Sequence, residues 1–203
     1  MRFTPSWGEA DIKFWQTIGE DVPSGGNSIT RFLGRLLLNG TGWSLQGEIP
    51  NKRQFIIAVA PHTSNFDFLL TVGVIWSLGL KASFLAKRSL FRFPLGYVIR
   101  GFGGIPVDRD GKNGMVDDMA KHFADNPKLI LGIAPEGTRR AVTRWRSGFA
   151  LIAQAANVPV LPAIINYREK VVTFKHLIED VGNADQTLAM MQQAAASGSG
   201  RGA

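Results

Sequence analysis

From Phe55 to Lys175, short apolar runs alternate with longer stretches of helical pattern, and few architectures accommodate that order. The strand-like runs are "FIIAVA" (55–60), "KASFLA" (81–86), "GGIPVDR" (103–109), "KLILGIAP" (128–135), "PVLPAIINY" (159–167) and "KVVTFK" (170–175). A helix through about Gly79 follows the first run, and "GMVDDMAKHFADN" (114–126) and "SGFALIAQAANV" (147–158) are two more. The stretch from Leu90 to Ile99 is broken by Pro94 and Gly96. Strands alternating with helices predict an α/β fold: a largely parallel central sheet with helices on both faces. An N-terminal helical segment precedes it. A chain of 203 residues suits one compact domain with a substantial core.

Open α/β sheets bind their ligands beyond the carboxyl ends of the strands. Three polar motifs follow strand ends here: "HTSNFD" (62–67), "DRDGK" (108–112) and "EGTRR" (136–140). In the first, His62 precedes Asp67 by five residues. A histidine can take a proton from a hydroxyl, and a carboxylate on its other ring nitrogen fixes the tautomer and stabilises the imidazolium. A loop-to-helix corner can bring Asp67 back to His62, where a straight helix would not. The same residues also read as a polar turn between a strand and a helix. No G-x-S-x-G elbow is present, so a catalytic dyad would use the substrate's own hydroxyl as nucleophile. His122 and His176 have no aspartate at this spacing and read as surface or packing residues.

"PEGTRR" (135–140) reads either as a tight turn or as a glycine-opened backbone, in which Thr138 donates a hydrogen bond and Arg139 presents a planar fork to a phosphate or carboxylate. "GGIPVDR" offers Arg109 at a strand end, with Gly103 and Gly104 permitting close backbone approach. The net charge of +7 implies an anionic partner, and its distribution matters more than its size. Residues 1–50 carry four basic and five acidic side chains, which excludes a basic N-terminal arm. Residues 81–112 carry seven basic side chains against Asp108 and Asp110, and residues 139–146 carry four arginines and no acid. No P-loop, dinucleotide fingerprint or nucleic-acid motif is present. The lack of cysteine, with only three scattered histidines, excludes thiolate metal sites and makes a metal centre unexpected.

Taken together the motifs resemble those of the glycerophospholipid acyltransferases, the 1-acyl-sn-glycerol-3-phosphate (lysophosphatidic acid) acyltransferases. His62 and Asp67 match that family's H-x4-D block, and "GGIPVDR" matches a glycine-led strand ending in arginine. Pro135-Glu136-Gly137-Thr138-Arg139 matches its proline-led E-G-T-R, and "VPVLP" (158–162) matches an apolar V-P-x-x-P. Ala134, where an aromatic residue is frequent, and Arg140, where serine is common, depart from the pattern. The resemblance implies transfer of a fatty acyl group from acyl-CoA or acyl carrier protein to a lysophospholipid hydroxyl, with no cofactor. His62 would be the general base and Asp67 its orienter. Arg109, Glu136, Gly137, Thr138 and Arg139 would engage the acceptor's phosphate. The alternatives are another lysolipid acceptor such as an amino-acid lipid, a thioester hydrolase, or a non-catalytic lipid- or phosphate-binding protein on the same scaffold.

The expected organisation is an N-terminal helical segment (1–41), an acyltransferase domain (42–196) and a disordered tail (197–203) of linker composition. Asn27 or Ser28 is positioned to cap "ITRFLGRLLLNG", whose Ile29, Phe32, Leu33, Leu36 and Leu37 recur at helical spacing. That helix belongs either to the core or to a membrane interface, with Trp43 close behind as a headgroup anchor. The uncharged run Phe68–Leu80 is too short to span a bilayer. The expected location is cytoplasmic, peripherally associated with a membrane.

Overall fold

The computed structural model describes residues 18–62, 64, 66–107, 112–136 and 145–200, with residues 112 and 113 by backbone alone. Seven strands form one sheet: β1 (Ser44–Gln46), β2 (Gln54–Ala60), β3 (Ala82–Lys87), β4 (Gly104–Val107), β5 (Leu129–Ile133), β6 (Val160–Asn166) and β7 (Val171–Phe174). Their order is β1-β7-β6-β2-β5-β3-β4, and every neighbouring pair is parallel except β6 with β7. The α-helices among the described residues are α1 (Ser28–Thr41), α2 (Phe66–Leu78), α3 (Leu95–Gly101), α4 (Lys112–Asp125), α5 (Gly148–Ala156) and α6 (Ala184–Ala195). A 3-10 turn, Arg88–Phe91, joins β3 to α3. This is the α/β architecture the alternation predicts.

Handedness distributes the helices. The steps from β2 to β3 and from β3 to β4 run one way across the sheet, and those from β4 to β5 and β5 to β6 run back. Right-handed crossovers therefore put α2 and α3 on one face and α4 and α5 on the other. The two buried clusters agree. Met119, Phe123, Phe149, Ile152 and Met191 of α4, α5 and α6 pack on Ile56, Ala58 and Leu131. Leu38, Leu70, Val74 and Leu78 of α1 and α2 pack on Phe55, Ile57 and Ile130. Successive β2 residues thus serve opposite cores, which is why that strand is apolar at nearly every position.

Asn27 caps α1: its Oδ1 accepts from the Ile29 and Thr30 N–H groups, both at 3.0 Å, while Thr30 Oγ1 accepts the Asn27 N–H at 2.8 Å. Leu38 and Gly34 are the residues α1 buries, against α2, whereas Phe32 is 64% exposed and Leu36 55%. The apolar stripe is therefore not a core stripe. Trp43, expected at a headgroup region, is instead buried and packs edge-on against Tyr167 at 4.9 Å. Residues 197–200, expected to begin a disordered tail, meet the end of β6: Ser199 accepts the Tyr167 N–H and donates to Ile165 O, both at 3.0 Å. No described helix is long and apolar enough to cross a membrane.

Candidate active site

Strands β6, β2 and β5 lie side by side at the middle of the sheet, registered so that Ala60 faces Ile164 and Ala58 faces Ile133. Because they are parallel, the residues just past their carboxyl ends converge. His62 follows β2, Glu136 follows β5 and Tyr167 follows β6. Asp67 enters from the first turn of α2.

Asp67 is fully buried and its two carboxylate oxygens are divided between partners. Oδ2 lies 3.3 Å from His62 Nδ1 and accepts the Ser64 N–H at 2.7 Å. Oδ1 accepts a hydrogen bond from the Tyr167 hydroxyl. Burial by itself would raise the Asp67 pKa, but the hydrogen bonds from His62, Tyr167 and the Ser64 amide outweigh it and hold the carboxyl below its ordinary value. Asp67 is thus a fixed anion, and a proton on Nδ1 of His62 faces it. That tautomer leaves Nε2 as the basic nitrogen, on an imidazole that keeps 20% of its surface accessible. A corner formed by Ser64 makes the five-residue spacing work: its carbonyl accepts the Asp67 N–H at 3.2 Å and its hydroxyl the Phe66 N–H at 3.1 Å. A pairing of this kind can deprotonate a hydroxyl bound in front of it.

Glu136 is buried, and its Oε2 accepts the His62 backbone N–H at 2.9 Å. Burial pushes its carboxyl up from the usual value, against the pull of that N–H. The side chain of Glu136, expected to engage an acceptor phosphate, is directed here at the histidine loop. It fixes the main chain that carries the histidine. Arg109, Gly137, Thr138 and Arg139 lie outside the described residues. The strands leading to them, β4 and β5, end at the same edge of the sheet as β2.

Tyr167 was not among the expected site residues. Its signal was faint but present: a polar-tipped aromatic closes an otherwise apolar strand, at the edge where the motifs gather. Tyr167→Phe tests its bond to Asp67. A group whose folded pKa is depressed contributes stability that is present above its unfolded value and lost as pH falls through the folded one. The substitution removes one source of that depression. Near neutral pH it is expected to cost about 1.5–3 kcal/mol, the range for a hydrogen bond to a charged group. The gap from wild type should close as the carboxyl protonates in acid. Thermal unfolding measured against pH decides it, and a gap that does not vary with pH would refute the link.

The family model described as Acyltransferase matches residues 44–166, which span the histidine loop, both expected arginine blocks and all of β1 to β6. No curated protein matches the sequence. Among solved structures, the fold is similar to the crystal structure of the 1-acyl-sn-glycerophosphate (LPA) acyltransferase PlsC from Thermotoga maritima. The TM-score is 0.59 at 17% identity, over 85% of this chain and 80% of that one.

Proposed function

The chain belongs to the acyltransferase family, and we propose that it moves a fatty acyl group from an acyl-CoA or acyl carrier protein thioester to the hydroxyl of a lysophospholipid, 1-acyl-glycerol-3-phosphate being the acceptor that fits best. The observation that carries this reading is the buried, ionised Asp67 held against His62 Nδ1. Binding alone needs no such pairing.

In the proposed reaction His62 Nε2 takes the proton of the acceptor hydroxyl as its oxygen attacks the thioester carbonyl. The new C–O bond forms, the tetrahedral intermediate collapses, and the C–S bond breaks. The imidazolium, stabilised by Asp67, returns its proton to the departing thiolate. The likeness to a 1-acyl-sn-glycerophosphate acyltransferase supports the choice of acceptor, as do the basic clusters at residues 81–112 and 139–146. The acceptor is delivered by a membrane surface, and the exposed Phe32 and Leu36 of α1 support contact with one.

Purified protein incubated with radiolabelled acyl-CoA or acyl carrier protein thioester, and with a panel of lysolipids, tests the assignment by chromatography of the products. Release of free fatty acid without acylated lipid would make it a hydrolase. The acceptor assignment carries its own prediction. Arg109→Ala and Arg139→Ala are each expected to raise the acceptor's KM about tenfold to a hundredfold, because a bidentate arginine–phosphate contact contributes about 1.5–3 kcal/mol of binding. The donor's KM should stay. A change confined to the donor would move these arginines to the nucleotide or pantetheine end.

A further inference from the structure

We infer that the β3–β4 crossover, from the 3-10 turn through α3 to Phe102, is a second bilayer-docking element that lays the α1–α2–α3 side of the molecule on an anionic membrane; this rests on the reading of the protein as an enzyme of membrane lipids.

Exposed apolar surface is concentrated on one side of the sheet. Of the fourteen exposed large hydrophobic side chains among the described residues, only Leu151 of α5 and Met190 of α6 belong to the opposite helical layer. The other twelve lie on α1, α2 and the crossover. The most exposed are on the crossover: Phe93 at 85% and Tyr97 at 73%, their rings edge-on at 6.2 Å. A protein that keeps this much aromatic surface in water on one side has a use for it. Charge follows the same division. No acidic residue occurs between Asp67 and Asp108, while Lys87 at the end of β3 and Arg92 and Arg100 along the crossover are exposed. Asp117, Asp118, Asp125 and Asp185 are exposed on the other layer. Basic side chains bordering an apolar patch suit the headgroup zone of anionic lipid, where aromatic rings also partition.

The crossover is built to present these side chains. A Cβ at Gly96 would lie 2.4 Å from the Phe91 carbonyl oxygen, so α3 folds directly onto the 3-10 turn. Trp76 of α2 stacks on Phe102 at 5.8 Å, which ties the far end of the crossover to the α1–α2 layer. The near end leaves β3 at the carboxyl edge of the sheet, where His62 stands. Docking there brings the base to the lipid surface.

The test compares wild type, Phe93→Ser with Tyr97→Ser, and Phe32→Ser with Leu36→Ser in sedimentation with vesicles of phosphatidylcholine alone or in equal mixture with phosphatidylglycerol. All four side chains are exposed, so the fold should survive both pairs. Wild type should prefer the anionic vesicles and lose binding with salt. The crossover pair should lower partition at least about tenfold, since burying even one aromatic side chain contributes enough for that factor. It should leave transfer to a short-chain soluble acceptor unchanged. The chain has no cysteine, so Tyr97→Cys carries a single environment-sensitive fluorophore, whose emission should shift to the blue on anionic vesicles. If the crossover pair and the label report no change while the α1 pair loses binding, the second element does not exist, although the membrane reading stands. If wild type ignores both vesicles, that reading fails as well. If the crossover pair dissolves a dimer in light scattering without touching vesicle binding, the patch serves a second copy of the chain and the inference is wrong.

Discussion

His62→Ala is expected to lower acyl transfer by about 10²–10⁴, the usual cost of removing a general base, while the protein stays folded and still binds its acceptor. The fold should tolerate the change because the imidazole is partly exposed and the bond to Glu136 comes from the histidine's main chain, which alanine retains. Asp67→Asn should be as damaging by another route. The asparagine oxygen can take the place of only one carboxylate oxygen, so its amide must face either the Tyr167 hydroxyl or the His62 and Ser64 N–H groups that the carboxylate now accepts. Either the corner distorts or the imidazole takes the tautomer that places its proton on the wrong nitrogen. Transfer measured with a soluble acceptor, alongside circular dichroism, separates lost chemistry from lost structure. Full activity of His62→Ala would end the dyad assignment.

Most of this frame could be read from the chain because each signal was local. β2, β5 and β6 are near-continuous apolar runs of strand length, and the spacing from His62 to Asp67 reports a corner that the Ser64 hydrogen bonds close. The missed elements had weak or non-local signals. β1 has three residues and exists through its pairing with β7, more than a hundred positions away. The buried face of α6 is Ala184, Thr187 and Met191, a helical spacing whose small and polar members hide it from a search for leucine and isoleucine. Trp43 misled for a different reason: the aromatic preference for interfaces is a preference of exposed residues, and here the Tyr167 ring and the sheet had prior claim to it. Tyr167 and Glu136 show the limit most plainly. Their partners are 100 and 74 residues distant, so only the order of strands in the sheet reveals that they meet at one histidine loop.

A large loss of stability is expected from one methyl group at Gly34. A Cβ there would stand 2.4 Å from the Ser77 backbone nitrogen, 2.8 Å from the Gly73 carbonyl oxygen and 2.9 Å from Trp76 Cβ. Two of those atoms are main chain of α2 and cannot rotate away, so the helices must separate. A Cβ added at Gly73, on the other side of the seam, would stand 2.9 Å from Leu37 Cδ2, and Leu38 beside it is fully buried. The α1–α2 seam is therefore narrow and closely fitted, and Gly34→Ala should cost about 1–3 kcal/mol in denaturant unfolding. Gly40, in the same helix, supplies the control because nothing lies within 4 Å of the position its Cβ would take. Gly40→Ala should stabilise by about 0.5–1 kcal/mol, the helix preference of alanine over glycine with no packing cost. Opposite signs at two glycines of one helix are what contact, and not propensity, predicts. Amide exchange should then be faster along α1 in Gly34→Ala alone, since Phe32 and Leu36, opposite the seam, are mostly exposed and hold the helix only weakly once it lifts. Equal effects at Gly34 and Gly40 would mean that α1 is not anchored by this seam.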